Sequence, residues 1–332
     1  MRKKILILGG TMFAGRALVE RLMNDNRYVL TLFNRGKSNS GIFPSVTQMH
    51  GNRETDDILQ VCDQHWDVVI DFSGYYPKTF AQLLDRLSGK VGRYIFISTI
   101  SVFLFGEGEV QTIGEDDATL SCSEEQMTSA LPDAYGEKKA EMERILLSHP
   151  ELDPLILRPS FIYGRYDWTD RFYYWLYRAK HLQKMLLPEP KLLSLTYVED
   201  LVNGILSAIE VKQHLQFYNA ITHTNVRLDK VMEFVATHQN RTIEIIPFAE
   251  AMFEEYAFEG SEFPLALPFD LCVEGTRWLN DLGLSPTPFN DTLFQSVEYF
   301  NGIDWPKPKT GLTLERETGI ISTLYSKTFP FF

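Results

Sequence analysis

Long apolar runs, cysteines, clustered histidines and positive charge are what this sequence has least of, and each shortage closes a class of function. No apolar run in the 332 residues is long enough to span a bilayer, so a membrane role is not expected. The amino-terminal MRKKILILGG has a basic start, but its apolar run is only Ile5 to Leu8, too short for a signal-peptide core. Nothing in it directs export. Three cysteines, Cys62, Cys122 and Cys272, lie scattered without metal-type spacing, and their odd number speaks against a disulfide framework. They fit a reducing, cytoplasmic setting. The seven histidines are dispersed, with no HExxH motif and no Cys/His pairing, so no metal is expected. With 32 Lys and Arg against 44 Asp and Glu, the net charge of −12 repels a polyphosphate backbone. Nucleic acid is an unlikely partner on that ground, although a local basic cleft is compatible with it.

Hydrophobic residues make up 44% of the chain, enough for a substantial core in one large domain or two moderate ones. The first half alternates short apolar runs with helical patterns, the mark of a parallel sheet covered by helices. The expected strands are KILILG (4 to 9), YVLTLFN (28 to 34), DVVIDFS (67 to 73), RYIFIST (93 to 99) and PLILRPS (154 to 160). Between them Ala14 to Asn24, Asp56 to His65, Lys78 to Leu87 and Ala134 to His149 read as helices. This predicts a doubly wound α/β sheet. After Gly164 the aromatic segment RYDWTDRFYYWLYRAKHLQKMLLPEP is too dense in rings for an exposed helix and reads as packing between the sheet and a second lobe. SLTYVEDLVNGILSAIE (194 to 210) and QFYNAI (216 to 221) read as strand, helix and strand returning to the sheet. The expected division is therefore 1–165, with 191–222 rejoining it, and a smaller lobe over 166–332. Asp200 reads as a helix cap.

ILILGGTMFAGRALVERL, residues 5 to 22, ends a strand in glycines and opens a helix. A helix amino terminus with outward N–H groups receives phosphate, and glycines let the backbone turn tightly or approach a pyrophosphate. Gly9, Gly10 and Gly15 supply that turn, with Thr11, Met12 and Phe13 between them, yet Met12 stands where the middle glycine would be. A ligand-free βα turn has the same pattern. About twenty residues on, an acid would hold the ribose of NAD; here LFNRGKS offers Asn34, Arg35 and Lys37 and no acid. A guanidinium fork suits a 2′-phosphate, which favours NADP over NAD. A solvated basic turn is the alternative.

RYIFISTISVF delivers Ser98, Thr99 and Ser101 at the carboxyl end of a strand, where open α/β sheets meet ligands. DAYGEKKAEMERIL then places Tyr135 and Lys139 four apart, on one helix face. A free phenol with a pKa of about 10 is a poor acid–base at neutral pH, and a neighbouring ammonium and a positive cofactor ring would lower it. The pair alone carries little information. Its place after a glycine turn and a strand ending in Ser/Thr carries more.

That ordered set, with GNRETDDI (51 to 58), DVVIDFSGY (67 to 75), LRPSFIYG (157 to 164), LTYVEDLVNGI (195 to 205) and TRWLNDLGLSP (276 to 286), resembles the extended short-chain dehydrogenase/reductase family, also called the NAD-dependent epimerase/dehydratase family. GGTMFAG, TLFNRGK and DRFYYWLYRA look most like its branch of chloroplast stem-loop-binding proteins and their bacterial relatives, which commonly has a non-glycine residue at the Met12 position. The resemblance implies a Rossmann fold with a smaller carboxy-terminal substrate lobe, and Tyr135 as acid–base. Lys139 would bond the nicotinamide ribose and tune Tyr135, and Thr99 would bond the substrate oxygen. Ser73, Gly74, Pro159 and Ser160 would lie along the cofactor. Tyr163 and Arg165 would contact substrate, with Arg165 where the family often has Pro. Trp168, Arg171 and Phe172 are either substrate contacts or packing between lobes, and Arg158 either shapes the nicotinamide end or is a buried ion-pair partner. The implied activity is NAD(P)-dependent epimerase, dehydratase or reductase chemistry on a sugar or nucleotide sugar, in a homodimer. An RNA-binding or ribonuclease role and a non-catalytic cofactor-binding role are the alternatives.

Overall fold

The computed structural model of the chain describes residues 2–105, 110–211, 215–248 and 251–328. Seven parallel strands form the central sheet, in the spatial order Phe217–Ala220, Pro154–Pro159, Val91–Ile97, Trp66–Asp71, Lys3–Leu8, Tyr28–Asn34 and Thr47–His50. The strands are near-continuous apolar runs because both faces are covered. In the first strand Ile5 and Ile7 join the core on one face, while Leu6 and Leu8 join that on the other. Helices Phe13–Leu22 and Val198–Glu210 pack together on the first face, and Pro77–Leu87 with Tyr135–Leu147 on the second.

The chain leaves Lys3–Leu8 to build Tyr28–Asn34 on one side and later Trp66–Asp71 on the other. A crevice opens at the carboxyl ends of these strands, where the direction of winding reverses. The glycine turn sits there.

Three expectations need correction, and one strand lies where none is expected. Thr47–His50 is an edge strand that four half-exposed residues, TQMH, could not announce by apolar pattern. The segment after Arg53 is a 3₁₀ helix, Asp56–Asp63, capped by Thr55, and not an α-helix. Leu193–Tyr197 does not rejoin the central sheet but pairs with Phe161–Tyr163 and His223–Val226, whereas Phe217–Ala220 does return as the outermost strand. Asp200 is no cap either. Tyr197 holds the cap position, and Asp200 accepts from Thr287 N at 3.1 Å and Thr287 Oγ1 at 2.8 Å, tying its helix to a distant loop.

The aromatic segment forms helix Tyr173–His181, whose Tyr173, Tyr174 and Trp175 are buried in the same core cluster as Phe300 and Trp305. Trp278 is likewise buried, donating from Nε1 to Ile221 O at 2.7 Å. Its ring lies so close to helix Val198–Glu210 that a Cβ added to Gly204 would sit 2.2 Å from Cζ3. Gly204→Ala should therefore destabilise by about 1–3 kcal/mol through overpacking. Calorimetry should register a lower Tm, and an unchanged one would contradict this packing.

Candidate active site

The first strand ends in Gly9 and Gly10, both left-handed at φ +104° and +89°. A Cβ on Gly15 would meet Gly10 Cα and N at 3.0 Å, so the first helical turn presses on the glycine backbone itself. Met12 precedes the helix at φ −135°, an extended conformation that needs no glycine; Phe13 instead takes the left-handed value, at φ +41°. The helix opens with no side-chain cap and no acid in its first turn, which leaves its N–H groups to an anion.

These residues form one wall of a cleft of about 620 Å³, also lined by Thr11, Met12, Phe13, Ser73, Ser98, Tyr135, Lys139 and Pro159. Asn34, Arg35 and Lys37 line it too. Asn34 is occupied in shaping the turn: its Oδ1 accepts from Gly36 N at 2.8 Å and its Nδ2 donates to Gln48 at 3.2 Å. Arg35 and Lys37 are exposed and make no hydrogen bond or ion pair among the described residues.

Tyr135 opens its helix, following Ala134 in the left-handed region at φ +48°. The next residue, Gly136, packs so tightly on the preceding strand's turn that a Cβ would meet Ser101 O at 2.1 Å. This contact carries Tyr135 to the Thr99 hydroxyl. Tyr135 is 44% exposed as a residue, yet desolvation of its phenol in the cleft pushes it up to about 12, Tyr75 adds to the rise, and the bond with Thr99 and the charge of Arg171 oppose it. Lys139 is buried, and desolvation brings its ammonium down to about 8 despite the attraction of Asp71. Its Nζ donates to Ile97 O at 2.8 Å and stands 4.4 Å from the Phe96 ring centroid. Thr99 Oγ1 accepts from Ser101 N at 3.1 Å and shapes the turn that follows the strand.

Several expected site residues lie outside the cleft. Gly74 packs against Phe96 and Phe80, and a Cβ there would meet Phe96 at 2.8 Å. Ser160 is a joint between sheets: its hydroxyl donates to Ser194 O at 2.6 Å and its N–H donates to Thr196 Oγ1 at 3.0 Å. Tyr163 is fully buried, with its hydroxyl 2.6 Å from Thr292 Oγ1. Arg165 is committed to Glu199 and Glu20 in a separate notch with Arg21, Tyr197, Gln295 and Tyr299. The structure brings none of these four to the cleft: each is enclosed by, or bonded to, residues outside it. Arg158 is a buried partner of Glu143, with Nη2 and Oε2 2.6 Å apart. Phe172 is buried beside Tyr163, while Trp168, exposed, lines the cleft. Arg171 lies near enough to act on the Tyr135 charge, donates from Nε to Thr169 Oγ1 at 3.3 Å and stacks over Phe161.

Sequence reasoning missed Arg53, Glu54, Tyr75 and Tyr76, which line the same cleft. The signal for Arg53 was faint: an arginine in GNRETDDI and an acid ending DVVID, eighteen residues apart.

The cleft fits a dinucleotide. A glycine cradle, an uncapped helix terminus and the buried Ser98 hydroxyl, which lacks a hydrogen-bond partner, converge on it. Among the described residues no cluster could hold a metal, and no helix is long and apolar enough to cross a membrane.

Comparison with known proteins agrees with this geometry. UDP-glucuronic acid 4-epimerase from Bacillus cereus, in complex with NAD, superposes with a TM-score of 0.68 at 17% identity, covering 90% of this chain and 99% of that one. dTDP-glucose 4,6-dehydratase from Bacillus anthracis, also with NAD, gives 0.69 at 16% identity over 91% and 98%. Both likenesses establish the fold. In sequence, the chloroplast stem-loop binding protein of 41 kDa b from Arabidopsis thaliana is 26% identical over 224 residues, 62% of this chain; the match spans only 55% of that relative. The model of the NAD dependent epimerase/dehydratase family matches residues 5–220, from the first strand of the sheet to the end of its outermost one. Spanning every strand and helix that builds the cleft, that match makes this chain a member of the NAD dependent epimerase/dehydratase family, whose enzymes are of the extended short-chain dehydrogenase type.

Proposed function

We propose that the protein is an NADP-preferring epimerase/dehydratase-type oxidoreductase acting on a hydroxyl or carbonyl of a sugar or nucleotide sugar. Residues 1–165, with Phe217–Ala220 returning as the outermost strand, would hold the cofactor, and the rest would shape the substrate side. The observation that carries this reading is that Tyr135 and Lys139 line the cleft that the glycine turn also lines, with the Thr99 hydroxyl behind them, next to Tyr135.

A bound nicotinamide would supply the hydride acceptor and donor. The protein's own groups handle the proton. Thr99 and Tyr135, hydroxyl beside hydroxyl, would orient the substrate oxygen, and Tyr135 Oη would take its proton on oxidation and return it on reduction. With the phenol pushed up to about 12, Tyr135 is held in its proton-donating form at neutral pH. A positive ring charge nearby would favour the phenolate. Lys139, brought down to about 8, still carries its charge at pH 7 and loses it as pH rises past that value. Its position supports a contact to a ribose hydroxyl in addition to Ile97 O. Gly74, Ser160, Tyr163 and Arg165 have no role in this reading.

Arg35 supports the NADP preference, since an unpaired guanidinium on the rim can grip a 2′-phosphate. Fluorescence titration should therefore show tighter NADPH than NADH binding. Arg35→Ala should weaken NADPH by about 10-fold or more and leave NADH nearly unchanged. Equal affinities in the wild type would remove the preference. If neither nucleotide binds, the cofactor reading fails, and binding of structured RNA, the property in the plant relative's name, becomes the measurement to make. Tyr135→Phe should lower kcat about 10²- to 10⁴-fold on a substrate that the wild type turns over, with NADPH affinity retained. Turnover at the wild-type rate would end the assignment of Tyr135.

A further inference from the structure

Beside the glycine turn lies an ion pair that the reaction outlined above does not use. Asp71, the last residue of the central strand Trp66–Asp71, is fully buried. Its Oδ1 accepts from Arg53 Nη1 at 2.6 Å and from Ser73 N at 2.8 Å, and its Oδ2 from the Tyr94 hydroxyl at 2.8 Å. Burial opposes the carboxylate's charge, but Arg53 and these donors hold it below the usual carboxylate range. Arg53 Nη1 also donates to Ser73 Oγ at 2.9 Å, and its Nε lies 3.6 Å from Glu54, which is itself bonded by Thr79.

That places a fixed guanidinium one serine away from the turn. A Cβ on Gly9 would stand 3.9 Å from Ser73 Cβ and 3.4 Å from Phe72 Cβ. Of the four cationic side chains lining the cleft, Arg35 and Lys37 are exposed and Lys139 is bonded to Ile97 O. Arg53 is the buried one on the glycine side, its side chain only 10% exposed. Its Nη1 serves Asp71 and Ser73, its Nε faces Glu54 and Tyr94 also bonds the guanidinium, so what the planar fork offers a ligand is its remaining donors.

A buried pair of this kind adds little stability, because desolvation of both ions offsets their attraction. Its position suggests another use. The middle glycine of a dinucleotide turn lets the backbone approach the pyrophosphate, and here Met12 places a side chain in the cleft at that point. A guanidinium can replace the lost approach from the side, since its fork matches phosphate oxygens.

We propose that Arg53, aimed by Asp71 and Ser73, anchors the pyrophosphate of the bound dinucleotide. The inference rests on the cofactor reading above and adds a residue to it. Asp71 is then a positioning residue: it touches no ligand and holds the fork in place.

Calorimetric titration with NADPH, ADP and adenosine tests this. Arg53→Met alone would strand the Asp71 charge, so the informative variant is Arg53→Met with Asp71→Asn, which removes both charges together. It should bind NADPH and ADP about 10- to 100-fold more weakly and adenosine as before. Arg53→Lys should lie between, having the charge without the fork. NADPH and ADP affinities within about threefold of the wild type would overturn the proposal, as would an equal loss for adenosine. Should the double variant not fold, Arg53→Lys decides: a loss confined to NADPH and ADP supports the anchor, and unchanged affinity overturns it. Wild-type protein that binds neither NADPH nor NADH would sink the cofactor reading itself, whereas firm wild-type binding with unaltered variants would sink only the anchor.

Discussion

The contact on which the cleft depends is backbone against backbone, Gly15 on Gly10 at the end of the first strand. No side chain fits there, so the helix begins directly above the carboxyl end of this interior strand and its free N–H groups face the crevice. The strand order does the rest. Lys3–Leu8 lies between Tyr28–Asn34 and Trp66–Asp71, and the connections depart on opposite faces, leaving the space over their carboxyl ends open. A polar site can occupy that space because the strands below are sealed by helices on both sides.

The electrostatics of the cleft follow from its burial. Tyr135 and Lys139 are both shifted toward their neutral forms by desolvation, the phenol upward and the ammonium downward. Asp71 goes the other way only because Arg53, Ser73 and Tyr94 supply charge and hydrogen bonds in place of water. The cleft thus holds one ion pair already compensated and two groups whose ionisation would respond to whatever charge enters. Such an arrangement suits proton transfer, where a group must change its charge during the reaction.

Similar chemistry in the sequence led to different ends in the fold. Arg165 and Arg53 are both arginines in polar loops, but Arg165 is taken up by Glu20 and Glu199 away from the cleft, while Arg53 lines it. Tyr163 and Tyr135 both follow motifs of the family, yet Tyr163 is enclosed by Thr292 and Phe172 and Tyr135 is exposed at the helix start. Which of two like residues reaches a ligand depends on neighbours far along the chain.

The sequence by itself determined the parallel α/β class, the glycine turn and the placing of Tyr135 and Lys139 on one helix face. These are properties of local period and spacing, set within a few residues. Tertiary structure alone decided that Thr47–His50 forms an edge strand and that Leu193–Tyr197 pairs away from the central sheet. It also decided that Gly136 presses Tyr135 against Thr99 and that Arg53 meets Asp71. Each of these joins segments brought together only when strands find their neighbours, and a partner chosen across space leaves no period in the chain to be read.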